Sequence, residues 1–259
     1  MFLEDKTILV SGVGAGLGRE VVSLALRDGA RVVMGARTES VLEETAKELD
    51  PSGERVAFGR ADITNADDCE ALAALAVERF GRVDALIQVA AYEAAFGGLH
   101  ETDFDQWRKA FDTNVIGSLT LTRAVAPRMK DAGGGSIVFI GSLSMWVPHM
   151  PQAGYAASKG ALLSAMYYLT EELGADQIRC NMVVPSWMWG PPVQAFCRMR
   201  AKAEGKSEEE IVAEITKDIP LGRIIPDEEV AEAALLLASE RARGITGQTL
   251  NVNGGEVMG

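Results

Sequence analysis

Thr7-Ile8-Leu9-Val10-Ser11, followed at once by Gly12-Val13-Gly14-Ala15-Gly16-Leu17-Gly18, is the stretch that decides the fold. The first five residues form a short apolar run of strand length, and the helical period begins at Leu17 and continues to Asp28. Between them the glycines allow positive φ angles and let the backbone come close to another group. Strand, glycine-rich turn and helix in this order place the unpaired N–H groups and partial positive charge of a helix N-terminus where a pyrophosphate can bind. A purely structural turn would also be rich in glycine, so the rest of the chain must supply the context.

Outward from this turn, short strand-like runs alternate with helical patterns. The strand candidates are Thr7 to Ser11, Arg31 to Ala36, Arg55 to Phe58, Ala85 to Val89, Ser136 to Gly141, Cys180 to Val184 and Thr249 to Val252. Helical periods cover Leu17 to Asp28, Ser40 to Leu49, Ala66 to Phe80, Phe104 to Lys130, Ala153 to Leu173 and Asp227 to Ser239. Such alternation predicts an α/β fold: a Rossmann-like, doubly wound, seven-stranded parallel sheet with helices on both faces. No linker or shift in composition divides the chain, so a single domain over 1–259 is expected. Only 185–226 breaks the rhythm. It holds no strand candidate, while Pro191 to Ala203 and Ser207 to Lys217 look helical, with Ser207 and Glu210 spaced as a capping box. A long excursion after a late strand is placed to cover a ligand at the carboxyl edge of the sheet, and is read as a small helical substrate lid. A peripheral helical pair packed for stability is the plainer alternative.

Composition narrows the partners. With 25 Lys plus Arg against 37 Asp plus Glu, the net charge of −12 and the lack of a basic cluster disfavour nucleic acid and anionic membrane surfaces. No apolar run approaches the roughly 20 residues of a membrane span, and Met1-Phe2-Leu3-Glu4-Asp5 lacks the basic and apolar regions of a signal peptide. The three cysteines, Cys69, Cys180 and Cys197, are widely spaced, which suits a reduced cytoplasmic setting. With only His100 and His149, no metal site is expected.

Tyr155-Ala156-Ala157-Ser158-Lys159 sets a phenol and an ammonium at i and i+4 on one helix face. A neighbouring cation favours the phenolate of a group whose free pKa is about 10, so the pair makes a general acid/base. Tyr-x-x-x-Lys is common on surface helices and acquires meaning only in company. Ser142 provides it, following the strand Ile137-Val138-Phe139-Ile140-Gly141 and preceding Tyr155 by thirteen positions.

The spacing Ser11-Gly12-x-x-x-Gly16-x-Gly18, together with Ser142, Tyr155 and Lys159, resembles the short-chain dehydrogenase/reductase family over essentially the whole chain. The resemblance implies that Ser11, Gly12, Gly16, Leu17 and Gly18 border a nicotinamide dinucleotide, with Asp62 and Ile63 beside the adenine and Ala90, Pro185 and Met188 further along it. In that family an acidic residue at the end of the second strand favours NAD by bonding the ribose. Ala36 stands there instead, followed by Arg37 and Thr38, and a cation at that point pairs with a 2′-phosphate. NADP(H) is therefore favoured, with NAD(H) as the alternative. Arg37 as a solvated loop residue and Asp62 as a helix cap are the plain readings.

The resemblance also implies roles. Tyr155 exchanges the proton of the substrate oxygen, Lys159 bonds the nicotinamide ribose and lowers the Tyr155 pKa, Ser142 holds the substrate oxygen, and Asn114 holds a water linking Lys159 to solvent. Three departures stand out: Gln88-Val89-Ala90-Ala91 replaces Asn-Asn-Ala-Gly, Pro185-Ser186 replaces the Pro-Gly turn, and Gly190 stands where a Thr often bonds the carboxamide.

The expected reaction interconverts a secondary alcohol and a ketone. Trp146, Trp187, Trp189 and Phe196 suggest an apolar site wall for a bulky substrate, with His149 as a polar contact, although packing of the lid or of a partner subunit would explain them equally. Enoyl reduction would call for a longer Tyr-to-Lys spacing. A catalytically weak nicotinamide-binding sensor or scaffold protein of the same fold is the alternative class, and it would tend to lose Tyr155 or Lys159. The resemblance further implies a homo-oligomer, tetramer or dimer, built on the helices Phe104 to Lys130 and Ala153 to Leu173.

Overall fold

The computed structural model describes residues 2–258. Seven parallel strands form one sheet in the order β3-β2-β1-β4-β5-β6-β7. They are β1 (Thr7–Ser11), β2 (Arg31–Ala36), β3 (Val56–Arg60), β4 (Ala85–Gln88), β5 (Gly135–Ile140), β6 (Ile178–Pro185) and β7 (Thr249–Val252). Alternate side chains feed two cores, as the period of two in a strand requires. Ile8 and Val10 of β1 and Val138 and Ile140 of β5 pack under α1 (Leu17–Arg27), α2 (Glu39–Leu49) and α9 (Asp227–Ala238). Leu9, Leu86, Ile137 and Phe139 pack under α3 (Ala66–Phe80), α5 (Ser118–Asp131) and α6 (Ala153–Gly174). Burial on both faces explains why the strands read as near-continuous apolar runs.

Strand edges differ from the sequence reading where side chains or turns intervene. The expected strand from Arg55 starts at Val56, because the Asp50 carboxylate accepts from both Arg55 N (2.7 Å) and Val56 N (2.9 Å). The expected end at Val89 falls back to Gln88, since Val89 N and Ala90 N both turn to Ser11 O at 3.1 Å.

The helix expected over Phe104 to Lys130 is three pieces: α4 (Phe104–Phe111), a π-helical turn Asp112–Gly117, and α5. The cause lies in Asn114. Its Oδ1 accepts from Tyr92 N at 2.7 Å and its Nδ2 donates to Tyr92 O at 3.0 Å, so the side chain pairs with the backbone that follows β4. Swelling the helix by one residue per turn lets Asn114 reach that loop.

The stretch 185–226 contains α7 (Pro191–Glu204) and α8 (Glu208–Thr216), with Ser207 and Glu210 forming the expected capping box. These helices bury Cys197, Ala201 and Ile211 between themselves in a small core of their own. An isolated parallel bridge between Met188 and Ile225 ties the base of the excursion together.

The glycine turn is fixed by contact with β4. Gly12 has φ +80°, and a Cβ there would lie 2.3 Å from Ala90 N. Gly12→Ala therefore combines a left-handed backbone with a main-chain collision, and a loss of about 1–3 kcal/mol is expected in urea denaturation. Unchanged stability would show that the turn relaxes away from β4.

Candidate active site

The strand order reverses between β1 and β4, which leaves a crevice at the carboxyl edge of the sheet where ligands of this architecture bind. A cleft of about 720 Å³ lies there, lined among others by Gly12, Arg37, Thr38, Asp62, Ile63 and Ala90. Ser11 is buried beneath it, its Oγ donating to Gln88 Oε1 at 3.1 Å. Gln88 in turn donates through Nε2 to Ser118 O at 2.8 Å, so it links β1, β4 and α5. Gly16 is the N-cap of α1, and no side chain caps this helix. Its first N–H groups therefore suit an anion such as a diphosphate. Gly18 packs on Gly12 O, where a Cβ would come within 2.5 Å, and the Leu17 side chain lies in the core.

At the adenosine end of the cleft, Arg37 is exposed and makes no hydrogen bond or salt bridge among the described residues. Asp62 accepts from Thr64 N (3.0 Å) and Thr64 Oγ1 (2.7 Å). Burial alone would raise its pKa, but these bonds and the nearby Arg37 and Arg60 outweigh burial and lower it. The glycine turn and the open helix N-terminus fit the diphosphate of a dinucleotide.

Across the crevice, Ser142 follows β5 and caps a short 3₁₀ turn, Leu143–Met145. Tyr155 and Lys159 lie one turn apart on α6, and the Ser142 hydroxyl, which accepts from Ser144 Oγ at 2.9 Å, is near enough to the Tyr155 phenol to act on its pKa. Lys159 Nζ lies 5.7 Å from the Tyr155 ring centroid and donates to Ile140 O at 2.7 Å. Lys159 is only 2% exposed. Burial lowers its pKa to about 8, with Glu93 opposing the shift. Burial raises the Tyr155 pKa above that of a free phenol; Glu93 adds to the shift and the Ser142 hydroxyl works against it.

Asn114 lies behind this group, buried, with Nδ2 also donating to Ser158 Oγ at 2.9 Å. Its side chain is thus engaged with Tyr92 and Ser158. Sequence reading does not single out Glu93, which acts on both Tyr155 and Lys159; its only signal is an acid two residues after the altered Gln88–Ala91 segment.

Pro185 ends β6, and Met188 bridges to Ile225 while packing on the core. Trp187 stacks on Phe196, with centroids 5.5 Å apart and planes at 30°. Trp146 and Trp189 are exposed. His149 Nε2 lies 2.7 Å from Glu256 Oε1, and the other oxygen of Glu256 accepts from Ser186 Oγ. Sequence reading missed Glu256, whose side chain is buried between two loops far from it along the chain. Among the described residues no helix is long and apolar enough to cross a membrane.

Residues 12–256 match the family model described as Enoyl-(Acyl carrier protein) reductase. L-rhamnose 1-dehydrogenase (NAD(P)(+)) of Azotobacter vinelandii is 35% identical over 262 residues, covering 98% of each chain. The A-factor type gamma-butyrolactone 1′-reductase (1S-forming) of Streptomyces virginiae is 35% identical over 254 residues, covering 98% of this chain and 96% of its own. A variant of actinorhodin polyketide ketoreductase solved with NADPH superposes with a TM-score of 0.88 at 32% identity, over 97% of both chains. With its sheet order, glycine turn and Ser142–Tyr155–Lys159 cluster, this chain belongs to the short-chain dehydrogenase/reductase family of oxidoreductases.

Proposed function

We propose that the protein is an NAD(P)-dependent alcohol dehydrogenase/ketone reductase that favours NADP(H) and acts on a bulky, largely apolar secondary alcohol or ketone. The observation that carries this reading is the Ser142–Tyr155–Lys159 cluster, which Glu93 links to the cleft that it lines together with Gly12 and Arg37. A nicotinamide in the cleft supplies or accepts the hydride. Ser142 hydrogen-bonds the substrate oxygen and Tyr155 gives it a proton in reduction or takes one in oxidation. Lys159, held by Ile140 O, keeps a positive charge beside the phenol as negative charge develops on it. Asn114 sets the position of the Tyr92–Glu93 loop opposite them. A four-residue Tyr-to-Lys spacing favours carbonyl over enoyl chemistry, and retention of both residues favours an enzyme over a binding-only sensor.

The exposed Phe104, Ile116, Tyr167 and Tyr168 along α4, the π turn and α6 support a homo-oligomer, dimer or tetramer, formed through these helices. The three buried free cysteines agree with a reducing cytoplasm.

Tyr155→Phe should lower kcat by about 10²–10⁴-fold while dinucleotide affinity, measured by fluorescence titration, stays close to wild type. Near wild-type turnover would remove Tyr155 from the mechanism. The pH dependence has a definite sign. Tyr155 remains protonated well above neutrality, whereas Lys159 loses its charge near pH 8. For ketone reduction, kcat/KM should thus decline as pH rises through about 8. A flat profile up to pH 10 would exclude a charged Lys159 as the supporting group.

Replacing Ala36 by Asp and Arg37 by Ser should reverse the cofactor preference, since a carboxylate repels a 2′-phosphate and bonds a free ribose. The ratio of kcat/KM for NADPH and NADH reports it, and a wild type that already prefers NADH would leave Arg37 without this role.

In this reading α7 and α8 form a lid, and Trp187, Trp189 and Phe196 meet the apolar part of the substrate. Trp189→Ala should then weaken binding of large ketones by roughly 1–3 kcal/mol, seen as a raised KM, and affect small ones much less. Equal losses for both, with a lower Tm, would assign Trp189 to packing.

A further inference from the structure

Resting on the dinucleotide reading above, we propose that Asp227 is a cofactor-positioning residue. Its carboxyl group stands beside the seat of the cofactor diphosphate, holds a proton when a dinucleotide is bound, and donates it as a hydrogen bond to a diphosphate oxygen.

Three helices start at this point. Gly16 is the N-cap of α1, Gly190 is the N-cap of α7, and Asp227 is the first residue of α9. A Cβ built on Gly16 would lie 3.0 Å from Asp227 Oδ2, and one built on Gly190 would lie 2.4 Å from the same oxygen and 2.9 Å from Oδ1. The carboxyl group therefore fills the space that a side chain at residue 190 would take. It returns a polar group to the position where Gly190 has none. Oδ1 is buried and makes no hydrogen bond. An unpartnered buried oxygen at an open helix N-terminus is a costly arrangement for a fold and a useful one for a ligand.

The surroundings favour a protonated group. From α1 the nearest charge is Glu20, while Arg19 is occupied by Glu20 and Glu48. The first turn of α7, Pro191 to Gln194, brings no ionisable side chain. On α9 itself Glu228 and Glu229 are exposed, and Arg223 is paired to Glu229. Burial, with Glu20 adding to it, already raises the Asp227 pKa from its ordinary value. A diphosphate at the α1 N-terminus adds negative charge beside the same oxygens and raises it further. Binding must then take up a proton, and the three helix ends are left to serve the diphosphate rather than the carboxylate.

Isothermal titration of the full-length protein with NADPH and with NADH, in buffers of different ionisation enthalpy between about pH 5.5 and about pH 8, tests this directly. The expected result is uptake of up to one proton per dinucleotide, with affinity weakening toward tenfold per pH unit as pH rises. NADH must show it as well, since it lacks the titrating 2′-phosphate. Asp227→Asn keeps a donor that cannot ionise, and should bind about tenfold tighter than wild type near pH 8, without that uptake. No proton uptake by the wild type, a measurement that needs no variant, would overturn the proposal. So would the same uptake and pH slope in a folded Asp227→Asn. Failure of the wild type to bind either dinucleotide would instead overturn the nicotinamide reading on which the proposal stands.

Discussion

The arrangement depends on one close approach: the backbone of Gly12 against the backbone of Ala90, at a distance that leaves no room for a Cβ. That contact joins the turn after β1 to the turn after β4 across the switch point of the sheet. Ser11 and Gln88 reinforce it from below with a buried hydrogen bond, and Gln88 carries the link on to Ser118 in α5. Because Val89 N and Ala90 N both donate to Ser11 O, the chain leaves β4 along the floor of the cleft. Tyr92 and Glu93 follow, where Asn114 catches the backbone. The cleft and the proposed catalytic face are thus parts of one hydrogen-bonded unit. The substitution of Gln88 for the usual Asn at the end of β4 keeps that unit satisfied.

The chemistry of the site follows from burial more than from charge pairing. Lys159 is nearly inaccessible and has a backbone carbonyl, not a carboxylate, as its hydrogen-bond acceptor. Burial therefore lowers its pKa, and burial keeps the neighbouring Tyr155 protonated. Glu93 opposes the loss of the ammonium charge and also opposes formation of the phenolate. It biases the pair toward charged lysine and neutral tyrosine, the state that the proposed ketone reduction requires.

What was legible in the sequence is what depends on local period and local chemistry. The alternation of strands and helices is legible because the five inner strands are buried on both faces, and the Ser207–Glu210 capping box because its partners lie three residues apart. The unbroken helix expected over Phe104 to Lys130 failed for a different reason. An apolar period does not see Asn114 reaching 22 residues back to Tyr92, and that contact imposes the π turn. Glu256 and Asp227 escaped notice on the same grounds: each meets its neighbours across the fold, and each resembles an ordinary acidic residue in its own segment. The position of Arg37, by contrast, is set locally: it directly follows β2 and lines the cleft at the carboxyl edge of the sheet.

These features point to a fold that carries its own binding cost. A buried lysine without a carboxylate partner lowers stability below the pH at which a free lysine would lose its proton. The sign follows from linkage: its folded pKa, about 8, lies under the unfolded value, so stability attributable to Lys159 is complete only above the latter and is lost as pH falls through 8. The unpaired oxygen of Asp227 and the uncapped start of α1 add to that cost on the other side of the crevice. The sheet, with its two continuous cores, supplies the surplus that tolerates such groups. A ligand that bonds the α1 N-terminus and lies against Lys159 would relieve several of these costs together, so part of its affinity would come from the unmet polar groups of the fold.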